Sequence, residues 1–152
     1  MPAPSARPMQ QAGQAWLLSC APDPAAVRSA WELEQFAQIP TGAHWLVAEA
    51  PLVRSVQATR RIPPDRLGPV LGDVHRDVAW WLLPADAAQE LDDIRQIVVH
   101  PAGWILSCPP VLHSLEGRWW VEPPDGTGQL TDPSSLGAAF GPGGRPSREA
   151  FG

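Results

Sequence analysis

Few side chains in this 152-residue chain stand at spacings that carry chemistry. Val74-His75-Arg76-Asp77 has the His-Arg-Asp order of a phosphotransfer loop. No Gly-rich phosphate loop precedes it and no Asp-Phe-Gly follows, so the expectation is a turn between strands. His44, His75, His100 and His113 lack the short spacings of a single metal-binding element. Cys20 and Cys108 form no CxxC pair, and no base is evident beside Cys108, so both read as core thiols. Asp125-Gly126-Thr127-Gly128 lacks the Lys-Ser/Thr of a phosphate loop and reads as a turn. Asp86, Glu90, Asp92 and Asp93 crowd one short segment. On a helix, Asp92 and Asp93 point to different sides, which fits a solvated face better than a carboxylate pair.

Two further patterns are less local. Arg54, Arg60, Arg61 and Arg66 lie within thirteen residues that hold one acid, Asp65. Such a basic island suits phosphate or an acidic partner, or simply a solvated helix end. The eight tryptophans fall largely in or beside apolar runs, with Trp80-Trp81 and Trp119-Trp120 adjacent. On a strand, adjacent residues face opposite ways, so one Trp of each pair can fill a core while the other meets a ligand. Trp80 is the candidate contact. All 11 basic residues are Arg, Tyr is absent, and the net charge is −5. That balance excludes a surface that is one large nucleic-acid trap, though not a local basic patch. A 44% hydrophobic content can fill a core, and 19 prolines exclude a long-helix bundle.

The elements that must position these residues follow from punctuation and periodicity. Residues 1–14 read as a flexible leader and 141–152 as a flexible Gly/Pro tail, leaving one domain over 15–140. Asp23-Pro24 predicts a helix start, Asp as N-cap and Pro in the first turn. His44–Glu49 predicts a strand, Leu52–Arg61 an amphipathic helix, and Pro69–Asp73 with Val78–Leu83 a hairpin. Pro84 opens a second expected helix with Ala87, Leu91 and Ile94 as its core stripe and a capping-box spacing at Asp86 and Gln89. Gln96–His100 and Trp104–Cys108, joined by Pro101-Ala102-Gly103, read as another hairpin. Gly117–Glu122 reads as a last strand, and Asp132-Pro133 as a final helix start. The order predicts an α+β fold: a split β-α-β-β-α-β core with an antiparallel sheet carrying both helices on one face, plus extra C-terminal strands. No apolar run reaches the length of a bilayer and no signal peptide is evident, so no membrane partner is expected and the expected compartment is cytoplasmic.

This order and several strings resemble the primase–polymerase domain of the archaeo-eukaryotic primase superfamily. Ala21-Pro22-Asp23-Pro24 to Trp31 is similar to that family's Thr-Asp-Pro segment and Trp-ending helix. Gly42–Pro51 occupies the strand that normally ends in Asp-x-Asp. Gly68-Pro69 to Pro84 is similar to the hairpin that carries its nucleotide-binding His. Ile97–Trp120, with Gly103, Pro109-Pro110, His113 and Gly117, resembles its later glycine, proline, histidine and aromatic series. The likeness covers roughly residues 20–125.

The resemblance also implies what is missing. The family's chemistry uses two or three carboxylates to hold divalent metals. Here only Glu49 matches one of them, the third acidic position falls near Val98, and the nucleotide His position falls near Val78. His75 is close in sequence but reaches the motif only through a gap. The expectation is a non-catalytic binding or regulatory module, with another protein as the leading partner, nucleotide or nucleic acid next, and no cofactor. His75, Arg54, Arg60, Arg61 and Trp80 are its contact candidates. The alternatives are an enzyme or binder for a nucleotide-like ligand, and an active polymerase using Glu49 with Mg²⁺ or Mn²⁺.

Overall fold

A computed structural model describes residues 6–141. Over these residues seven strands and four helices form a mixed α+β fold whose sheets are antiparallel throughout. The five-stranded sheet contains β2 (Leu46–Pro51), β3 (Val70–Asp73), β4 (Val78–Leu83), β5 (Val98–Val99) and β7 (Arg118–Glu122), in the order β5-β2-β4-β3-β7. Helix α3 (Leu52–Thr59) connects β2 to β3, and β4 inserts between them, the order of a split β-α-β unit. A separate two-stranded sheet pairs β1 (Ala37–Pro40) with β6 (Ile105–Cys108).

Alternation along the strands divides the core in two. Val47, Leu71, Trp80, Leu82 and Trp120 face a layer made by α1 (Ala6–Ser19), α2 (Pro24–Glu32), β1 and β6. We call this the mixed face. Ala48, Ala50, Val70, Ala79, Trp81 and Leu83 face α3 and α4 (Pro133–Phe140) on the helical face. Trp80 and Trp81 thus turn to opposite faces, as do Trp119 and Trp120, because successive strand residues alternate. Five indole N–H groups find internal acceptors: Trp31 on the Cys108 carbonyl, Trp45 on Cys20 Sγ, Trp80 on Glu49, Trp81 on Ser55 Oγ and Trp120 on the Pro109 carbonyl. A buried Trp needs such a partner, so these five tryptophans serve the core. Trp80, a contact candidate from sequence, is only 2% exposed.

The sequence foretells the caps of α2 and α4. Asp23 Oδ1 accepts from the Ala26 N–H at 3.2 Å, and Asp132 Oδ2 accepts from the Ser135 N–H at 3.0 Å. Four expectations need correction. The leader reading of 1–14 gives way, over the described residues, to α1, whose Leu17 is fully buried. The second crossover helix is a 3₁₀ turn over Ala88–Leu91, flanked by i→i−3 bonds such as Ala87 N to Pro84 O and Ile94 N to Leu91 O. Asp92 and Asp93 are weak helix formers, no side chain caps the turn, and Ala87 and Leu91 still reach the core. Both crossover helices on one face are therefore one helix and one 3₁₀ turn, and the opposite face is covered as well. Finally, β5 and β6 are not a hairpin: β5 pairs with β2 and β6 with β1. His100 N–H still follows β2, donating to the Val47 carbonyl, after which Gly103 at φ +94° redirects the chain and Thr41 N–H meets the Trp104 carbonyl. The expected tail beyond residue 141 lies outside the described residues. No described helix is long and apolar enough to cross a membrane.

Candidate functional site

Strand β5 is an edge of the five-stranded sheet, and its Val98 is exposed. Glu49 sits on β2 directly opposite Trp80 on β4 and Val98 on β5. Directly paired antiparallel residues share a face, so all three side chains project the same way, with Val78 two positions along β4 from Trp80. Val98 is 56% exposed and Val78 half-buried. The three positions that the sequence resemblance equates with an acid, a nucleotide His and a further acid thus converge on one surface, where they are Glu49, Val78 and Val98.

Glu49 is held from two sides. Its Oε1 accepts the Trp80 indole N–H at 3.0 Å and lies 3.0 Å from His100 Nε2. An ionised carboxylate only accepts, so that nitrogen carries a proton. The His100 ring stacks on Trp104, with centroids 4.0 Å apart and planes within 4°. In the sequence His100 stands out only as one of four histidines without metal-site spacing. Its position, last in an apolar run before Pro101-Ala102-Gly103, was the available signal. The Glu49 side chain is 29% exposed and its Oε2 is free of hydrogen bonds to other described residues.

A buried ion pair stands behind this surface. Arg118 and Asp73 are cross-strand partners on β7 and β3. Arg118 Nε and Nη2 donate to Asp73 Oδ2 at 2.9 and 2.8 Å, and Nη1 donates to the Ser107 carbonyl of β6 at 2.7 Å. The guanidinium lies 4.5 Å from the Trp80 ring centroid and 4.7 Å from that of Phe36. One side chain therefore fastens the five-stranded sheet to the two-stranded one. Burial works to push the Asp73 carboxyl up. The N–H groups of Arg76 and His75 and the Arg118 guanidinium outweigh it and hold that carboxyl below its ordinary value. The pair has no local signature in the sequence, because its partners are 45 residues apart and joined only by register.

The remaining sequence candidates do not join the site. His75 is exposed on the β3–β4 turn and packs against Gly117, while its backbone N–H donates to Asp73. The turn expected at Val74–Asp77 is present, with Asp77 at φ +58°. Arg54, Arg60 and Arg61 belong to α3 and its C-terminal end, on the helical face of the sheet. Arg54 lies 5.9 Å from the Phe140 ring centroid, and Arg61 Nη1 donates to the Ala139 carbonyl at 3.4 Å. Asp86, Glu90, Asp92 and Asp93 are exposed. Asp125–Gly128 is an Asx-type turn, Thr127 bonding Asp125 through N–H and Oγ1. Cys20 and Cys108 are buried free thiols, and desolvation pushes both up, away from reactive thiolate. Among the described residues no three His, Cys, Asp or Glu side chains gather as a metal site would require. No protein-family model, curated protein or solved structure matches this chain.

Proposed function

We propose that this chain is a non-catalytic binding or regulatory module on a primase–polymerase-like scaffold, with another protein as its partner. The observation that carries the reading is the register at Glu49. Val98 and Val78 share its face, and the lone carboxylate has one oxygen committed to Trp80 and His100. Two-metal phosphoryl chemistry needs several carboxylates around the ions. A single glutamate between an indole and an imidazole is poorly suited to that task. The β5-β2-β4-β3 order supports the scaffold half of the reading.

A second reading has its own support: Glu49 Oε2 and the exposed Val98 leave this surface accessible to a nucleotide-like ligand. The two separate in a thermal shift experiment with nucleoside triphosphates. The first predicts that any rise in melting temperature is the same in Glu49→Ala and His100→Ala as in the wild-type chain. A rise lost in either variant would replace the first reading with the second.

A further inference from the structure

We infer that the helical face carries a binding site for a phosphate monoester, in a recess between Arg61 and Arg66. The inference is independent of the reading of Glu49, which lies on the other face of the sheet. A cavity of about 310 Å³ is lined by Arg61, Pro63, Arg66, Ser135, Ala138 and Ala139. Two arginines therefore line one space together with Pro63, Ala138 and Ala139. Neither arginine has a carboxylate within ion-pair distance among the described residues, in a chain whose net charge is −5.

The recess is built on fixed backbone. Gln129 Nε2 donates to the carbonyls of Pro64 and Leu67 at 2.8 and 2.7 Å. Asp132 N–H donates to the Arg66 carbonyl at 2.9 Å, and Gly68 N–H to Thr131 Oγ1 at 2.9 Å. A Cβ at Gly68 would lie 2.5 Å from Thr131 N, so the two segments meet without room for a side chain. On the other side, Arg61 Nη1 reaches the Ala139 carbonyl and anchors one guanidinium at the rim. Its remaining N–H groups, and all the side-chain N–H groups of Arg66, are without protein acceptors among the described residues.

The chemistry selects the ligand. One carboxylate is satisfied by one bidentate arginine, whereas a phosphate monoester carries a charge near −2 and oxygens enough for two. An extended polyanion fits less well. Asp65 stands beside Arg66 in sequence, and Asp132, which caps α4 through Ser135, is close to the recess. These carboxylates repel a long row of phosphates more than one head seated between two arginines. Free phosphate monoesters and phosphorylated side chains share this chemistry.

The test is a titration of the full chain with inorganic phosphate, phosphoserine, a nucleoside monophosphate and acetate, read by backbone amide and arginine Nε–H shifts. Saturable shifts are expected at Arg61, Arg66, Ser135 and Ala138 with the three phosphates. Binding should strengthen between pH 5.5 and 7.5, as the second phosphate proton leaves near pH 6. Phosphoserine binding tighter than the nucleotide indicates a phosphorylated chain, and the reverse a small metabolite; either supports the site. Arg61→Gln and Arg66→Gln, both at exposed positions, should each weaken phosphate binding about tenfold while amide dispersion stays native. Acetate matching phosphate, shifts spread equally to Arg28 and Arg60, or binding unchanged in both variants would overturn the proposal.

Discussion

Arg118→Ala is expected to cost about 3–5 kcal/mol of folding stability. The loss is larger than the three hydrogen bonds removed, because Asp73 is left buried with an unpaired charge. Trp80 and Phe36 lose the cation between them, and the Ser107 carbonyl loses its donor. Chemical denaturation should show a lower midpoint at similar slope. Adding Asp73→Asn to Arg118→Ala should restore part of the loss by removing the stranded carboxylate. A loss below about 1 kcal/mol, the size of an exposed ion pair, would contradict this assignment. The pair also sets an acid limit. Asp73 titrates below its ordinary value in the folded state. Its contribution is therefore complete above about pH 4 and declines as pH falls through the depressed value. Wild-type stability should fall in that acid window, and Asp73→Asn should flatten the fall.

The second large effect is expected at Gly13. A Cβ there would lie 1.8 Å from the Pro124 carbonyl oxygen, a separation no relaxed structure tolerates. Helix α1 and the loop after β7 also meet at Gly126, whose Cβ would lie 2.7 Å from that of Ala12. Gly13→Val should displace α1 from the mixed face at a cost of about 1–3 kcal/mol or more. Hydrogen exchange should report it as lost protection over α1, with Leu17 and its neighbours no longer sequestered and the five-stranded sheet still protected. Unchanged protection in α1 would show that the helix does not dock through this contact.

Gly13 also illustrates what sequence reading lacks. A glycine in a Gln- and Ala-rich stretch reads as a flexible leader, and only the backbone approaching it from residue 124 gives it meaning. Local signals transferred well. Asp-Pro starts marked α2 and α4, and the runs around Glu49, Leu71 and Trp81 became strands. The stripe Ala87, Leu91 and Ile94 pointed inward although the segment is a 3₁₀ turn, because i→i+4 and i→i+3 spacings give nearly the same stripe over one turn. Pairings were harder to read. A turn at Pro101–Gly103 suggests a hairpin, yet β5 and β6 found partners far away in sequence. At the site, Glu49 was legible as the only acid on its strand. His100 and the Arg118–Asp73 pair emerged from register, which no local pattern encodes. The basic island proved divided: Arg54 and Arg61 reach α4, while Arg61 and Arg66 share a recess.

The reading of a scaffold without polymerase chemistry rests on Glu49 having no second carboxylate beside it. Its most direct test is primer synthesis on a single-stranded template with nucleoside triphosphates and Mg²⁺ or Mn²⁺, comparing the wild-type chain with Glu49→Ala. Neither protein is expected to make template-dependent product. Product made by the wild-type chain and abolished by Glu49→Ala would contradict that reading.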